Sequence, residues 1–553
     1  MRPTFAALRD NAWALGLGAL LALAFLLRAW GLDHGLPFVY NADENAHFVP
    51  RAIGFFDHSL NPEYFINPPA FSYVLHAVFW LRWGGDGVQA AYAQDPGQVF
   101  VVARVVAAWL GVAAVGLLAW AGVRLFGRAV ALIAAALLAV AFLPVHYSHL
   151  ALNDVPTLAP LCLALVGIAG VLRGGGNGDY VLAGLGIGLA CATKYTAGIV
   201  VLPLLAATAL TPTRGRWGGL GIAAGVAVAA FVVANPYAVL DWSAFWDGLR
   251  EQSSASNDGG GKLGLAEDNG LLYYLGTVVW GLGLLPALAA VGGAVHLAIA
   301  DRRRALVLIP PVLVFLLFMG SQDRFFARWL LPLYPLLCLL AAHGAVVLAR
   351  LTRREWVVAV AGVLLCAQGL VYSVHNNVVL SREDTRQQTR DWMVANVPPG
   401  SKVVVEPVFP HQWAMDPGRP SPATGTGNRW NKWSVARSIA GTGIEPAHGS
   451  RGVKLEDYER TLRPALLGMY VEHGYCTVVT GSTQYGRAYA EPEQVPGAIA
   501  YYRELRRRGE VVFRAKPWAD DVKFSFDDSF NYRPLSYSRA GPEIVVYRLR
   551  GCT

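Results

Sequence analysis

Asn11-Ala12-Trp13-Ala14-Leu15-Gly16-Leu17-Gly18-Ala19-Leu20-Leu21-Ala22-Leu23-Ala24-Phe25-Leu26-Leu27-Arg28-Ala29-Trp30-Gly31-Leu32 is an apolar run of membrane-spanning length. A helix needs about 20 such residues to cross about 30 Å of hydrocarbon. The run follows a short basic start, as a secretory leader would, but it is longer than a typical leader core and no small-residue cleavage site follows. It reads as a retained first span. Working outward, similar runs near residues 99–123, 129–148, 155–172, 180–193, 195–211, 217–236, 271–299, 305–320, 329–349 and 356–375 bring the expected total to about eleven.

The composition agrees: of 553 residues 54% are hydrophobic and 15% charged, too apolar for a soluble chain of this length. A formal charge of +8 would suggest nucleic acid in a soluble protein. Here the arginines concentrate in short loops between spans, where they set orientation, so no nucleic-acid partner is implied. With the N-terminus cytoplasmic, Arg124, Arg128, Arg173, Arg214, Arg216, Arg302 to Arg304, Arg350, Arg353 and Arg354 all fall in cytoplasmic loops.

That count predicts a multi-pass plasma-membrane protein: a membrane region over 1–380 and an extracytoplasmic domain over 381–553, with outer loops at 33–98 and 237–270. Phe71 to Trp83 is too short to cross and carries His76, so it reads as a helix lying on the membrane surface. In the tail, Asp384 to Asn396 and Leu455 to Glu472 read as helices, and Lys402 to Glu406, Cys476 to Thr480, Glu510 to Arg514 and Glu543 to Tyr547 as strands. A small α/β domain follows. Residues 408–450 lack periodicity and read as a loop, in which Trp413, Trp430 and Trp433 are candidates to stack on the rings of a ligand, to anchor the loop or to rest on the membrane surface. Cys162, Cys191, Cys338 and Cys366 sit in apolar runs as small buried side chains; Cys476 and Cys552 lie in the tail, and their separation leaves open whether they meet.

Several polar residues converge on the outer face. Tyr40-Asn41-Ala42-Asp43-Glu44-Asn45-Ala46-His47 puts two adjacent acids where the first span leaves the hydrocarbon. Ionisable groups at that depth are costly and tend to mark function; the alternative is that Asp43 caps the next helix. Asn61-Pro62-Glu63-Tyr64-Phe65-Ile66-Asn67-Pro68-Pro69 is a rigid extended stretch. Asn153-Asp154-Val155-Pro156 places another acid between spans, either a second catalytic acid or an N-cap. Lys194 of Thr193-Lys194-Tyr195, and Arg324 and Arg328 of Asp323-Arg324-Phe325-Phe326-Ala327-Arg328-Trp329, are outer cations that run against the positive-inside bias. A phosphate is the anionic ligand such cations suit; the alternative is snorkelling to headgroups.

Together, the Asp-Glu pair after the first span, the Pro-Pro helix start, the acid after the third span, Thr-Lys-Tyr, and Arg328-Trp329-Leu330-Leu331-Pro332-Leu333-Tyr334-Pro335 resemble the GT-C glycosyltransferases of family 39. That group includes protein O-mannosyltransferases and bacterial lipid A aminoarabinose transferases. The resemblance extends over most of residues 1–395, including Asp384-Thr385-Arg386 and Asn396-Val397-Pro398-Pro399-Gly400. It implies a GT-C membrane domain that uses a polyprenyl phosphate sugar donor and a hydroxyl acceptor on protein, lipid or glycan. Asp43 would deprotonate the acceptor, Asp154 would orient it or support Asp43, and Glu44, the adjacent acid, is the third catalytic candidate. Lys194 and Arg328, with Arg324, would hold the carrier phosphate, and His47, Tyr64, Asn67 and Tyr195 would contact substrate. Asn67 stands where the aminoarabinose transferases would carry a charge, and the tail is no β-trefoil, so the resemblance names neither sugar nor acceptor.

Cations at the phosphate and a carboxylate at the incoming hydroxyl suffice for direct displacement with inversion, since the acceptor is itself the nucleophile. No cofactor is required. His47, His58, His146 and His149 lie near the outer face as candidates for a divalent cation, without a tight ligand cluster. The glycines of Asn257-Asp258-Gly259-Gly260-Gly261-Lys262 suit either a lid or a plain connection. The competing class is a transporter or flippase for lipid-linked sugars, which predicts a midplane polar path and internal repeats; neither is evident in spans that read as nearly charge-free.

Overall fold

Apolar runs punctuated by Gly, Pro and arginine-bearing loops favour helices, and the computed structural model of the chain is mostly helical. It describes residues 5–57, 59–213, 215–257, 263, 269–416, 427–439, 457–518 and 535–552 and, for residues 5–10 and 255–257, the backbone only. Helix α1 (Phe5–Ala29) leads through a loop to one π-helical turn (Glu44–Phe48), then α2 (Val49–Gly54), α3 (Ala70–Trp83) and α4 (Gly87–Gln94). The 31-residue α5 (Pro96–Phe126) starts on Asp95, whose carboxylate accepts from the Gly97 amide at 2.9 Å, with Pro96 in the first turn.

There follow α6 (Arg128–Val140), α7 (Phe142–Tyr147), α8 (Leu158–Leu172), α9 (Asn177–Thr193), a 3-10 turn (Tyr195–Val200) running into α10 (Val201–Leu210), and α11 (Arg216–Ala234). The chain continues through α12 (Tyr237–Leu240), α13 (Trp242–Asn257), α14 (Gly270–Gly281), α15 (Leu284–Ala300), α16 (Arg302–Gly320), a 3-10 turn (Ala327–Leu333), α17 (Tyr334–Arg350) and α18 (Glu355–Leu380). Among the described residues six helices are long and apolar enough to cross a membrane, and the bent pair α14–α15 passes as a seventh. The chain is a multi-pass membrane protein. Leu26, Trp109, Val233, Val291, Ile299, Leu317 and Val363 stay more than half exposed, the apolar surface such a bundle turns to lipid.

The short 180–193 run proves to be the central helix α9. A Cβ on Gly184 would lie 2.3 Å from the Ala223 carbonyl oxygen of α11, and one on Gly186 would lie 2.3 Å from the Ala164 nitrogen of α8. Glycine on both faces lets three backbones touch, the close approach that packs helices in lipid.

Two segments expected to be continuous are broken. The 271–299 run bends by 112° between α14 and α15, at Gly283 with φ +124°. Gln368 of α18 sutures the break: its side-chain oxygen accepts from Leu284 N at 2.9 Å, and its nitrogen donates to the Val279 carbonyl at 2.9 Å. The 129–148 run breaks at Ala141, and Arg28 of α1 donates to the Ala139 and Leu138 carbonyls there at 2.9 and 3.1 Å. Backbone groups freed inside an apolar bundle need such partners. The spans are therefore less charge-free than the sequence suggested, since Arg28 and Arg104 are each 1% exposed within α1 and α5.

The 237–257 part of the supposed loop is helical, as α12 and α13. Gly259 to Gly261 and Lys262 lie outside the described residues, as do His58 and Arg214.

The C-terminal unit comprises α19 (Thr385–Asn396), β1 (Lys402–Val405), β2 (Asn431–Lys432), α20 (Val435–Ser438), α21 (Ala465–Glu472), β3 (Thr477–Gly481), α22 (Ser482–Ala490), α23 (Pro496–Arg508), β4 (Gly509–Ala515) and β5 (Ile544–Leu549). Its sheet has the order β2-β1-β3-β5-β4, parallel among the first three and antiparallel among the last three. Alternation sorts the strands' side chains between two cores: Val403, Val479, Ile544 and Val546 pack with Met393 of α19, whereas Val404, Val478, Val545 and Tyr547 pack with α21 and α23. The expected helix over 455–472 shrinks to α21, because Pro464 sets its start; helices α22 and α23 had no counterpart in the sequence reading. Cys476 and Cys552 form a disulfide, with Cα atoms 5.6 Å apart.

Trp413 and Trp430 are fully buried and Trp433 nearly so. They anchor the domain core and have no face to offer a sugar. Residues 417–426 and 440–450 of the expected 408–450 loop lie outside the described residues.

Glu406, at the end of β1, is enclosed, and burial pushes its carboxyl up to about 8 against the opposing bonds from Gly481 N and Tyr502 Oη. A raised folded pKa means that the unfolded chain releases this proton first, so stability is full near pH 4.5 and falls as pH climbs toward 8. Glu406→Gln, which mimics the protonated form, is expected to raise the melting temperature at pH 8 and leave it unchanged at pH 4.5; an equal effect at both pH values would remove this explanation.

Candidate active site

The C-terminal unit is clamped onto the loop that follows α1. Phe38 of that loop inserts into the core around Met393, Trp413 and Trp430, and the Arg386 guanidinium lies 3.7 Å from the centroid of the Tyr40 ring. Thr385 N donates to the Ala540 carbonyl at 3.0 Å, which ties α19 to the segment before β5. Phe38 and Tyr40 thus hold the loop against the C-terminal unit as it reaches Asp43.

Asp43 precedes the π-helical turn without capping it: no helix N–H reaches its side chain, and Asn41 Oδ1 instead takes the Glu44 amide at 3.1 Å. Its carboxylate accepts from Arg328 Nη2 at 2.5 Å and remains more than one-third exposed. Asp154 does not cap α8 either. It pairs with Lys194 Nζ on one oxygen and lies 3.7 Å from Arg328 Nε on the other. Arg328 therefore bridges the two acids, Lys194 backs the second, and the cluster is formally neutral.

Each member stands where a helix gives way to irregular backbone. Lys194 is the extended residue between α9 and the Tyr195–Val200 turn, and Arg328 lies in the Ala327–Leu333 turn before α17. Asn153 Nδ2 donates to the Thr193 carbonyl at 2.7 Å, tying the Asp154 segment to the residue before Lys194. Arg324, half-buried, lies four residues ahead of Arg328, while the carboxylates of Asp43 and Asp154 are taken by Arg328 and Lys194.

Glu44, the expected second acid beside Asp43, points the other way. It is fully buried, accepting from Arg104 Nε at 2.8 Å and Nη2 at 2.9 Å, and from the Ala151 amide at 2.8 Å. Arg104 Nη1 donates to the Leu32 and His34 carbonyls at 2.7 and 2.9 Å. One buried ion pair thus ties the Asp43 loop to the segment that carries Asp154. Arg104 escaped the sequence reading, although a lone arginine within an apolar run was a signal in itself.

His47 stacks on Tyr64 with centroids 4.8 Å apart, and Asn67 Nδ2 donates to Tyr64 Oη at 3.0 Å. Burial lowers the His47 pKa, with Asp43 pulling the other way, and pushes the Tyr64 phenol up to about 12. Arg51, not singled out in the sequence, lies 4.1 Å from the Tyr64 ring centroid. Tyr195 Oη donates to the Phe65 carbonyl at 2.9 Å, and Asn61 Nδ2 to Asp241 Oδ2 at 2.8 Å. The Asn61–Pro69 stretch is thereby pinned to Tyr195 and to the start of α13.

Among the described residues the histidines do not gather into a metal site. His149 is buried with its two ring nitrogens 2.8 and 3.0 Å from the carbonyls of Val145 and Trp30, and His146 meets Asn376. Among the described residues no three His, Cys, Asp or Glu side chains form a ligand group.

A cavity of about 420 Å³ opens beside the cluster. Asp43 and Arg328 line it from the membrane region, and Asp384, Arg386, Gln484 and Arg487 from the C-terminal unit.

ArnT from Cupriavidus metallidurans, in its apo state, shares this architecture with a TM-score of 0.51 at 14% identity, over 97% of this chain and 98% of that chain. The chain has a GT-C fold. Residues 88–240 of it match the model of the dolichyl-phosphate-mannose-protein mannosyltransferase family. That stretch contains Arg104, Asp154, Lys194 and Tyr195, while Asp43 and Arg328 fall outside it. Also similar to this GT-C chain are ArnT bound to undecaprenyl phosphate, with a TM-score of 0.49 at 14% identity over 96% and 97% of the two chains, and the Archaeoglobus fulgidus oligosaccharyltransferase tethered with an acceptor peptide, with a TM-score of 0.48 at 14% identity over 92% and 73%. No curated protein matches the chain in sequence.

Proposed function

We propose that the chain is an inverting glycosyltransferase that moves a sugar from a polyprenyl phosphate donor to an acceptor hydroxyl at the extracytoplasmic face. The observation that carries this reading is Arg328 bridging Asp43 and Asp154, with Lys194 on the latter. Acids and cations in one partly enclosed cluster supply both halves of the reaction. The matched family's description, which names a dolichyl phosphate sugar, supports a lipid phosphate donor.

Asp43, the more exposed carboxylate, takes the hydroxyl proton, and Arg328 and Lys194 stabilise the departing phosphate. In this state the two carboxylates hold those cations ready. A phosphate that draws Arg328 toward itself leaves Asp43 free to act as the base. Glu44 acts through Arg104 as a positioning residue. The arginine-rich loops support a cytoplasmic N-terminus, with residues 381–553 as the extracytoplasmic domain.

The test is release of polyprenyl phosphate from a panel of labelled polyprenyl phosphate sugars by the purified protein in lipid discs. Lys194→Ala is expected to weaken donor binding about tenfold to a hundredfold, as losing a charge-assisted contact of roughly 1.5–3 kcal/mol would. Unchanged donor affinity in this variant would place the phosphate elsewhere. Turnover is also expected to survive chelation of divalent cations, because the cations assigned to the phosphate are side chains. Loss on chelation with recovery on adding Mg²⁺ or Mn²⁺ would assign that task to a metal.

A further inference from the structure

The cavity beside Asp43 has a second wall, made by the C-terminal unit, to which transfer as described assigns nothing. Strands β1 and β3 lie side by side and parallel, and the chain leaves them toward opposite flanks: from β1 to β2 on one side, and from β3 through α22 and α23 to β4 on the other. Where connections diverge like this, a crevice opens beyond the carboxyl ends of the two strands, and open α/β sheets hold small ligands there. Pro407 and Val408 follow β1, Thr483 and Gln484 open α22 after β3, and all four line the cavity.

Gln484 is 1% exposed, and neither its amide nitrogen nor its amide oxygen has a hydrogen-bond partner. A buried amide left in this state is costly to the fold, and in a cavity wall a ligand can supply what the fold does not. One turn on, Arg487 lines the same space, 2% exposed, with Glu459 4.0 Å from its Nη1. On the α19 side, Arg386 makes a two-pronged pair with Asp384 at 2.9 and 2.8 Å beneath the Tyr40 ring.

Planar amide, carboxylate and guanidinium groups can each span neighbouring hydroxyls, and aromatic rings offer flat surfaces to the C–H faces of a pyranose or furanose. At about 420 Å³ the cavity is of small-molecule size and takes sugar rings, not a folded protein. A peptide acceptor would favour a free strand edge, and the edge strands β2 and β4 contribute none of the lining residues.

We infer that this crevice is the acceptor subsite and that the acceptor is a glycan, gripped by Gln484, Thr483 and Arg487 with a hydroxyl of its end ring at Asp43. The inference rests on the transferase reading above. In the step it serves, the glycan oxygen bonds to the anomeric carbon, the bond from that carbon to the phosphate oxygen breaks, its electron pair leaves with polyprenyl phosphate, and the hydroxyl proton passes to the Asp43 carboxylate.

The test uses the full chain in lipid discs and saturation-transfer NMR with a panel of soluble trisaccharides bearing neutral, amino or uronate rings, against a Ser/Thr-containing peptide. At least one trisaccharide is expected to bind wild type and Asp43→Asn alike, and to lose at least tenfold in affinity in Gln484→Leu and in Thr483→Val, with polyprenyl phosphate binding unchanged. Because the Gln484 amide bonds to nothing in the fold, Gln484→Leu should keep its melting temperature; if it does not, Thr483→Val carries the test. No trisaccharide binding, binding indifferent to both variants, or displacement by the peptide would each overturn the glycan subsite. Donor turnover without trisaccharide binding would sink the subsite alone. Trisaccharide binding at Gln484 with no donor ever turned over would sink the transferase reading instead.

Discussion

Asp43→Asn is expected to lower sugar transfer by about 10²–10⁴-fold while leaving donor binding intact, because removing a general base forfeits about that factor. Asparagine keeps the shape of the side chain and one acceptor oxygen, so Arg328, 2.5 Å from the carboxylate, retains a partner of reduced strength. Asparagine cannot take up a proton. Single-turnover rates and equilibrium binding of the same labelled donor separate the two effects. A variant that transfers within tenfold of wild type would remove Asp43 from the base role and move attention to Asp154. A variant that no longer binds donor would indicate that Asp43 chiefly holds Arg328 in place. Asp154→Asn should weaken donor binding as well as transfer, since Asp154 holds Lys194 directly.

The second large effect is structural. Arg104→Leu is expected to cost about 3–5 kcal/mol of stability, because it strands the fully buried Glu44 carboxylate without a countercharge. Glu44→Leu alone should be similarly damaging, since it leaves the buried guanidinium with the Leu32 and His34 carbonyls and the His34 ring but no countercharge, and deprives the Ala151 amide of its acceptor. The double variant should be more stable than the sum of the two single losses predicts, as coupled neighbours are. Thermal unfolding of all four proteins in one lipid composition measures this coupling. Strict additivity would mean that Glu44 and Arg104 act separately. Under the positioning role, Glu44→Gln should lower the rate of transfer more than it lowers donor affinity, whereas a purely structural role would alter the melting temperature alone.

Much of the molecule is legible in the sequence. Runs of about 20 apolar residues have few places to go but the bilayer, and the β-branched tail segments at 402–406, 476–480, 510–514 and 543–547 coincide with β1, β3, β4 and β5 to within two residues at each end. Asp43, Asp154, Lys194 and Arg328 stood out because charge at the end of an apolar helix needs a reason. Their ion pairing was not legible, since residues 43 and 328 meet only through the packing of helices far apart in sequence. The breaks at Ala141 and Gly283 escaped notice because hydropathy averages over a window and ignores backbone direction. Whether the exposed backbone finds Arg28 or Gln368 is a tertiary matter.

Adjacent residues posed the sharpest ambiguity. Asp43 and Glu44 look equivalent in sequence, yet one lies at the cavity and the other is sealed against Arg104. The π-helical turn that begins at Glu44 sends neighbouring side chains in different directions, and only the surroundings select which carboxylate meets solvent. The tryptophans of 408–450 were similarly open, and the two cores of the sheet took all of them, Trp413 and Trp430 on the α19 side and Trp433 on the side of α21 and α23. Local composition and patterning by themselves determined that this chain enters a membrane and carries an α/β domain, because burial of apolar surface depends on which residues are present and how they are spaced. Which acid faces the cavity, which cations it meets, and that Gln484 shares a wall with them were decided by tertiary structure alone, because each depends on contacts between segments that no local pattern encodes.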